Sequence, residues 1–335
     1  MLKAGVIGYG YWGPNIVRNL NANPNIAVKK VCDLSDDRLK LVHSSYPDIE
    51  TTPVSDDVLL DTHLDLVAIV TPVFTHYELA KKALLNGKHI FVEKPFTSTS
   101  AQAEELIEIA EKKNLKIIVD HTFLFTGAVR KMKELVENGI LGNLYYYDSV
   151  RVNLGLFQHD INVIWDLGPH DISIMEYLID NLKPLSVNAV GAEHFNRGLE
   201  DVAYLTVRYE NNFIAHFHLN WLSPVKVRYT LVAGDKKMLV WNDMLTDEKI
   251  KVYDKGVKVE TAEGVYNLLV QYRSGDMYSP TISNVEALKL ETEYLVDYIM
   301  NNKKIDNDGI AGLNVVRILE AADVSLKNGG REVKI

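Results

Sequence analysis

The chain has only one cysteine among 335 residues, Cys32, so no disulfide can form within it. It also lacks any apolar run close to the roughly 20 residues that span a bilayer. Strand-like sequence starts at Leu2, and no charged segment, long apolar stretch or small-residue cleavage site precedes it. These absences predict a reduced, cytoplasmic protein without a membrane partner.

Basic residues are in the minority: 36 lysines and arginines stand against 45 aspartates and glutamates, a net charge of -9. Binding to nucleic acid or to an anionic membrane needs a basic surface, so the sequence predicts neither partner. The proportions of hydrophobic (47%) and charged (24%) residues are ordinary for a globular protein, and the length suffices for two domains.

The first 120 residues alternate short β-branched runs with segments of helical periodicity. The strand-like runs are 4–7, 27–32, 66–70, 89–92 and 116–119. Repeated βα units form a parallel sheet with right-handed crossovers, and ligands bind beyond the carboxyl ends of its strands. A helix is expected over 100–113, with Ser98, Thr99 and Ser100 as candidate caps.

Beyond residue 122 the pattern changes to helices and mainly antiparallel strands. Helices are expected over 128–137, around His170, over 284–300 and over 311–327, and strands over 145–152, 186–191, 203–209, 214–221, 227–232 and 238–241. We therefore predict an α/β Rossmann domain, residues 1–122, and an α+β domain with a large, mainly antiparallel open sheet, residues 123–335. The second domain would bind substrate and form oligomers, and its last helix is a candidate to pack back on the first.

A glycine-rich loop, Gly8-Tyr9-Gly10-Tyr11-Trp12-Gly13, directly follows the first strand and opens a helix. In such a loop the first glycine makes the tight turn, the second lets the backbone approach a pyrophosphate, and the third lets helix and strand pack closely. Asp33 ends the second strand, where a carboxylate binds the adenosine ribose hydroxyls and repels a 2'-phosphate. The loop, including Tyr11 and Trp12, and Asp33 predict bound NAD rather than NADP.

Thr71-Pro72 follows a later strand, with His76 in the next segment, Thr75-His76-Tyr77-Glu78. At this position a hydroxyl and backbone carbonyls can line the nicotinamide side of the crevice. Caps and turns use the same residue types, so cofactor contact and local structure are both open for Thr71. For His76, capping or packing is favoured over cofactor binding.

Glu93-Lys94-Pro95 ends the strand-like run 89–92. The proline pushes the backbone of Lys94 to an extended or turn conformation. A lysine directed into a crevice is costly unless it has a role. We predict that Lys94 hydrogen-bonds the reacting hydroxyl and keeps it near C4 of the nicotinamide, with Glu93 beside it. The alternative is an ordinary surface lysine after a strand.

Asp166 and His170 lie four residues apart in Trp165-Asp166-Leu167-Gly168-Pro169-His170-Asp171. On one helix they share a face, and the carboxylate can orient the imidazole and raise its proton affinity. His170 is then the predicted general base for alcohol oxidation. A helix that begins only at Pro169 would leave Asp166 in the preceding loop, and the pairing would be open.

These motifs resemble those of the glucose-fructose oxidoreductase, inositol dehydrogenase and MocA (Gfo/Idh/MocA) family along essentially the whole chain. The resemblance implies an NAD-dependent dehydrogenase whose catalytic residues are Lys94, Asp166 and His170. It also implies a homodimer or homotetramer assembled through the second-domain sheet. Val73 departs from the family, in which asparagine is common after Thr-Pro, so a side-chain contact to the cofactor would be missing.

Within the family, segments 10–15 and 162–171 are most similar to members that act on nucleotide-linked sugars for surface polysaccharides, which include the dehydrogenases that oxidise C3 of UDP-N-acetylglucosamine or its uronic acid. A nucleotide-linked sugar is therefore the predicted substrate, and a free sugar or inositol is the alternative. A glycoside hydrolase with recycled NAD and a non-catalytic NAD-dependent regulator are alternatives of other classes. Candidate substrate contacts are His121, Arg151, Trp165 and Arg197. No metal is predicted, because His216 and His218 lack a third ligand nearby.

Overall fold

The computed structural model describes residues 1–155, 158, 160–179, 182–195, 198–259 and 270–335, with side chains except at 257–259 and 270–272. Two compact units divide the chain. The first comprises Met1–Phe125 and Val285–Arg317, and the second comprises Thr126–Asn284 and Ile318–Ile335. Residues 285–317 of the predicted second domain thus belong to the first unit.

A six-stranded parallel sheet with the order β3-β2-β1-β4-β5-β6 forms the centre of the first unit. Its strands are β1 (Leu2–Ile7), β2 (Ile26–Cys32), β3 (Glu50–Thr52), β4 (Leu66–Ile69), β5 (His89–Glu93) and β6 (Ile117–Asp120). The helices before the second unit are α1 (Gly13–Ala22), α2 (Asp36–Ser45), α3 (Asp56–Leu59), α4 (Val73–Leu85) and α5 (Ser100–Lys113). The parallel arrangement confirms the α/β prediction.

A nine-stranded sheet with the order β14-β13-β12-β11-β7-β10-β9-β8-β15 forms the second unit. Its strands are β7 (Leu144–Leu154), β8 (Pro184–Ala192), β9 (Val202–Tyr209), β10 (Ile214–Asn220), β11 (Leu222–Gly234), β12 (Met238–Asn242), β13 (Ile250–Val259), β14 (Val270–Tyr278) and β15 (Val333–Lys334). The pairing of β10 with β7 is parallel, whereas the other pairings are antiparallel. The mainly antiparallel sheet was predicted.

Among the described residues, α6 (Gly127–Glu137) and α7 (Val163–Ile179) belong to the second unit alone, and α8 (Ala287–Asn301) belongs to the first. The last helix, α9 (Gly309–Lys327), starts in the first unit and ends in the second. Within the described ranges, no helix is long and apolar enough to cross a bilayer.

Candidate active site

The glycine-rich loop lies between β1 and α1, and two of its glycines are required by the backbone. Gly8 has a φ of +99°, and a Cβ there would lie 2.2 Å from the carbonyl oxygen of Val70. A Cβ on Gly13 would lie 2.6 Å from the carbonyl oxygen of Gly8. Next to Gly10, by contrast, the described residues leave open space within 4 Å. The strand, the tight turn and the helix start therefore fit the diphosphate of a dinucleotide.

Asp33 lies directly beside this loop. Its Oδ2 accepts a hydrogen bond from the backbone N–H of Tyr9 at 2.6 Å, and its Oδ1 accepts one from Ser35 N–H at 2.8 Å. The carboxylate is thus fixed at the carboxyl end of β2, next to the loop that fits the diphosphate. Tyr11, at the outer surface of the same loop, is 84% exposed.

A hydrogen bond absent from the sequence prediction ties the loop to the far side of the sheet. The indole Nε1 of Trp12 donates to Asp120 Oδ2 at 2.8 Å, and the hydroxyl of Thr122 donates to Asp120 Oδ1. Asp120 ends β6, so its place at the carboxyl end of a parallel strand was the signal that could have identified it. Trp12 thereby joins the loop after β1 to the strand that forms the sheet edge.

Lys94 follows β5 and is partly exposed, and the Lys94–Pro95 peptide bond is cis. In the register of the parallel pair β5–β6, Glu93 stands opposite Asp120, so Lys94 and His121 follow these two strands side by side. Burial and the neighbouring Asp120 carboxylate raise the pKa of Glu93 well above its usual value. Burial, and next the charge of Lys94, lower the pKa of His121 to about 3. His121 is therefore a neutral imidazole beside the predicted catalytic lysine.

His76 is buried in the first turn of α4, whose N-cap is Pro72. Its Nδ1 lies 2.9 Å from the carbonyl oxygen of Pro95, and its Nε2 lies 2.8 Å from that of Thr71. The hydroxyl of Thr71 is engaged with that of Thr75 at 2.7 Å. Burial lowers the pKa of His76, while the contacts with backbone carbonyls oppose this shift. Both ring nitrogens therefore contact the protein itself.

In the second unit, α7 runs without interruption from Val163 to Ile179 and contains Pro169. Asp166 and His170 consequently lie on one helix, four residues apart on the same face, so a helix that begins only at Pro169 is excluded. Asp166 Oδ2 accepts a hydrogen bond from the indole Nε1 of Trp221 at 3.0 Å. Sequence reasoning missed Trp221, because it lies 55 residues away on the loop between β10 and β11.

Two family models match this architecture. The model described as "Oxidoreductase family, NAD-binding Rossmann fold" matches residues 2–121, and the "GFO/IDH/MocA C-terminal domain" matches residues 129–240. The chain belongs to the Gfo/Idh/MocA oxidoreductase family. It is accordingly an NAD-binding oxidoreductase.

Gfo/Idh/MocA relatives resemble the chain over nearly its full length. The scyllo-inositol 2-dehydrogenase (NADP(+)) IolW of Bacillus subtilis is 24% identical over 97% of this chain and 94% of its own. The UDP-N-acetylglucosamine 3-dehydrogenase of Acidithiobacillus ferrooxidans is 24% identical over 94% of both chains.

Solved structures show the same fold. That of the enzyme GnnA from Acidithiobacillus ferrooxidans, a UDP-N-acetylglucosamine 3-dehydrogenase, has a TM-score of 0.81 at 22% identity and covers 98% of this chain and 99% of its own. GenD2 from gentamicin A biosynthesis, solved in complex with NAD, has a TM-score of 0.83 at 18% identity, with 100% of this chain and 96% of its own covered.

The remaining candidate substrate contacts of this Gfo/Idh/MocA member have different surroundings. Arg151 is buried and forms a two-point ion pair with the equally buried Asp171, the second bond measuring 3.2 Å. Trp165 is 7% exposed and donates its indole N–H to Asp323 Oδ2 at 2.9 Å. Both side chains therefore make structural contacts with carboxylates of the second unit. Arg197 lies outside the described residues.

Proposed function

We propose that this protein oxidises C3 of a nucleotide-linked sugar, such as UDP-N-acetylglucosamine or its uronic acid, with NAD as the hydride acceptor. The observation that carries the chemistry is the placement of Asp166 and His170 on one face of α7, since side chains at this spacing are neighbours and a carboxylate can orient an imidazole that acts as a base. The similarity to a UDP-N-acetylglucosamine 3-dehydrogenase over 94% of both chains supports the substrate class.

Lys94, His170 and Asp166 each have a distinct proposed role in the oxidation. Bound NAD supplies the carbon that accepts the hydride. Lys94 donates a hydrogen bond to the oxygen of the reacting hydroxyl and holds its carbon in place. His170 takes the hydroxyl proton, and a positioned base of this kind contributes about 10² to 10⁴ in rate. Asp166, held by the Trp221 indole, stabilises the resulting imidazolium.

NAD is held by the first unit in this proposal. The backbone around Gly10 and the first turn of α1 bind the diphosphate, and Asp33 binds the adenosine ribose. Trp12, fixed by Asp120, lies between the start of α1 and the carboxyl end of β6. Thr71 and Pro72, after β4, lie on the nicotinamide side of the sheet.

Free cyclitols are the second candidate substrates, because a scyllo-inositol dehydrogenase matches the chain at the same identity and over a similar length. The decisive experiment incubates the purified protein with UDP-N-acetylglucosamine, its uronic acid, free sugars and inositols, with and without added NAD, and follows NADH absorbance. Steady NADH formation with a UDP-sugar supports the proposal. A signal only with free polyols overturns the substrate class, and glycoside cleavage without net NADH favours the hydrolase.

Two substitutions test the assigned roles. Lys94→Ala and His170→Ala should each lower kcat by about 100-fold or more while NAD affinity stays within a few-fold, because neither side chain holds the adenosine or the diphosphate. Lys112→Ala, at a largely exposed lysine on α5, is the matched control. An equal loss of NAD affinity and turnover would contradict the catalytic roles proposed for Lys94 and His170.

We also infer that the second-unit sheet mediates self-association. One face of β9 and β10 is outward, and on it the ring of Tyr204, 42% exposed, stacks on that of His218 with centroids 4.6 Å apart. The opposite face of these strands is buried, as Leu205 and Phe217 show. An aromatic surface at the middle of a sheet suits a second copy of the same sheet.

A further inference from the structure

The imidazole of His76 lies between two loops that leave neighbouring strands. Thr71 follows β4 and Pro95 follows β5, and these two strands pair directly in the parallel sheet. The ring is 1% exposed and touches the carbonyl oxygens of both residues, at 2.8 Å and 2.9 Å. Both loops emerge at the edge where a Rossmann sheet binds its ligands.

The chemistry of these contacts excludes a helix-capping role. A capping side chain accepts hydrogen bonds from the first amides of a helix, whereas His76 faces two carbonyl oxygens, which only accept. The N-cap of α4 is Pro72, and His76 is the fourth residue of the helix. Because His76 lies within α4, the helix backbone sets where its ring enters the space between the loops.

The two contacts also define what the ring must donate. A neutral imidazole donates only one hydrogen bond. Because burial lowers the pKa of His76, the neutral ring donates to one carbonyl oxygen at a time, through Nδ1 to Pro95 or through Nε2 to Thr71. A backbone carbonyl buried without a donor costs about 1–3 kcal/mol of folding free energy, so a hydrogen bond from His76 helps to fix the loop that carries the carbonyl.

We propose that His76 is a positioning residue that holds Lys94 through the carbonyl of Pro95 and links it to the Thr71 loop. Lys94 is bonded directly to Pro95, so the position of this carbonyl sets where the lysine side chain starts. The inference rests on the proposed function only in taking Lys94 as catalytic. A catalytic group displaced by about 1 Å can lose about 100-fold in rate.

Three substitutions separate the two contacts. The amide nitrogen of His76→Asn comes near the position of Nδ1 and can donate to Pro95, that of His76→Gln comes near Nε2 and can donate to Thr71, and His76→Leu donates to neither. We expect His76→Leu and His76→Gln to lower kcat about 10- to 100-fold with NAD affinity within about threefold. His76→Asn should recover most of the lost turnover. Equal kcat for the Asn and Gln variants would overturn the proposal.

A second readout does not depend on the substrate. The rate at which acetic anhydride acetylates Lys94, measured by peptide mass spectrometry on the NAD-bound protein, should change by about threefold or more in His76→Leu and His76→Gln. His76→Asn should leave it near the wild-type rate. The acetylation of Lys112, a largely exposed lysine on α5, is the internal reference. An unchanged Lys94 rate in all three variants would also overturn the proposal.

The matched control is His89→Asn at the start of β5, since His89 also contacts the backbone, accepting from Lys116 N–H at 3.0 Å, but at the opposite end of the strand. It should change neither kcat nor the labelling of Lys94. If the wild-type protein oxidises none of the sugars, the proposed function is contradicted, while the labelling of Lys94 still tests the role of His76. A variant that loses its folded circular dichroism signal is replaced by His76→Met in the same two assays.

Discussion

His121 is a buried side chain whose two ring nitrogens have no hydrogen-bond partner among the described residues. A buried polar group in this state costs about 1–3 kcal/mol of folding stability. The ring follows β6 beside Lys94, and its pKa of about 3 leaves it neutral at physiological pH. A neutral imidazole with a free donor and a free acceptor suits a sugar hydroxyl, in keeping with the predicted substrate contact.

His121→Leu should therefore stabilise the protein and impair it at once. We expect the melting temperature to rise by about 2–4 °C, because an unsatisfied polar group is replaced by an apolar one of similar size. The kcat/KM for the sugar should fall about tenfold or more. Differential scanning calorimetry and steady-state kinetics on one preparation check both. A lower melting temperature with unchanged kinetics would show that the ring is a packing residue.

Cofactor choice is expected to depend on Asp33. Asp33 is fixed beside the glycine loop, and Leu34 next to it is 91% exposed. The double variant Asp33→Ala/Leu34→Arg should shift the ratio of kcat/KM for NADP over NAD by about 10- to 100-fold, because a repelling carboxylate is replaced by a cation near the 2'-phosphate. Leu34→Arg alone is the control. An unchanged ratio in the double variant would show that Asp33 does not determine the preference for NAD over NADP.

Among the elements, β5, β6 and α8 meet at an acidic cluster composed of the partly exposed Glu93 and the buried Asp120 and Glu291. Burial, and next the charge of Asp120, raise the pKa of Glu291 well above its usual value. Its Oε1 accepts a hydrogen bond from the amide of Asn307 at 2.7 Å, and the same amide donates to the carbonyl of Val119 in β6. The connection between strand and helix is therefore sensitive to the protonation of this carboxyl.

The sign of the pH dependence follows from the raised pKa of Glu291. Its contribution to stability is fully present below the unfolded pKa of about 4.3 and is lost as the pH rises through the folded pKa. Glu291→Gln keeps the Asn307 contact without a charge, so the stability of this variant relative to wild type should increase with pH. The total increase should be about 1.4 kcal/mol for each unit by which the folded pKa of Glu291 exceeds its unfolded pKa. Chemical unfolding at several pH values measures this. Glu293→Gln, exposed on the same helix, is the control, and a pH-independent difference would contradict the prediction.

Elements with strong local signals were predictable from the sequence. The helix expected over 100–113 is α5, whose N-cap Thr99 accepts from Gln102 N–H, and its end at Asn114 has a φ of 54°. β3 was missed because three residues carry too little pattern. β13 was missed as well, because its lysines and Asp254 interrupt the apolar alternation, and its pairing with β12 and β14 is what holds it as a strand.

For the whole molecule, the aromatic face of the second sheet gives a test of assembly. Wild-type protein should have twice or four times the monomer mass in sedimentation, and Tyr204→Glu should shift it toward the monomer, because a charge at the centre of an apolar contact is costly. Leu60→Glu, at an exposed position of the first unit, is the control. A monomeric wild-type protein would refute assembly through this face.

The sequence by itself determined the family and the NAD-binding oxidoreductase class of this protein, because the glycine loop, Asp33 and the Glu93-Lys94-Pro95 motif depend on local order along the chain. Periodicity also determined the parallel and mainly antiparallel sheets. Only the tertiary structure decided which distant groups meet: Trp12 with Asp120, Asp166 with Trp221, and His76 with two carbonyl oxygens. Such pairings arise from strand order and helix packing, so neighbouring residues in the sequence do not encode them.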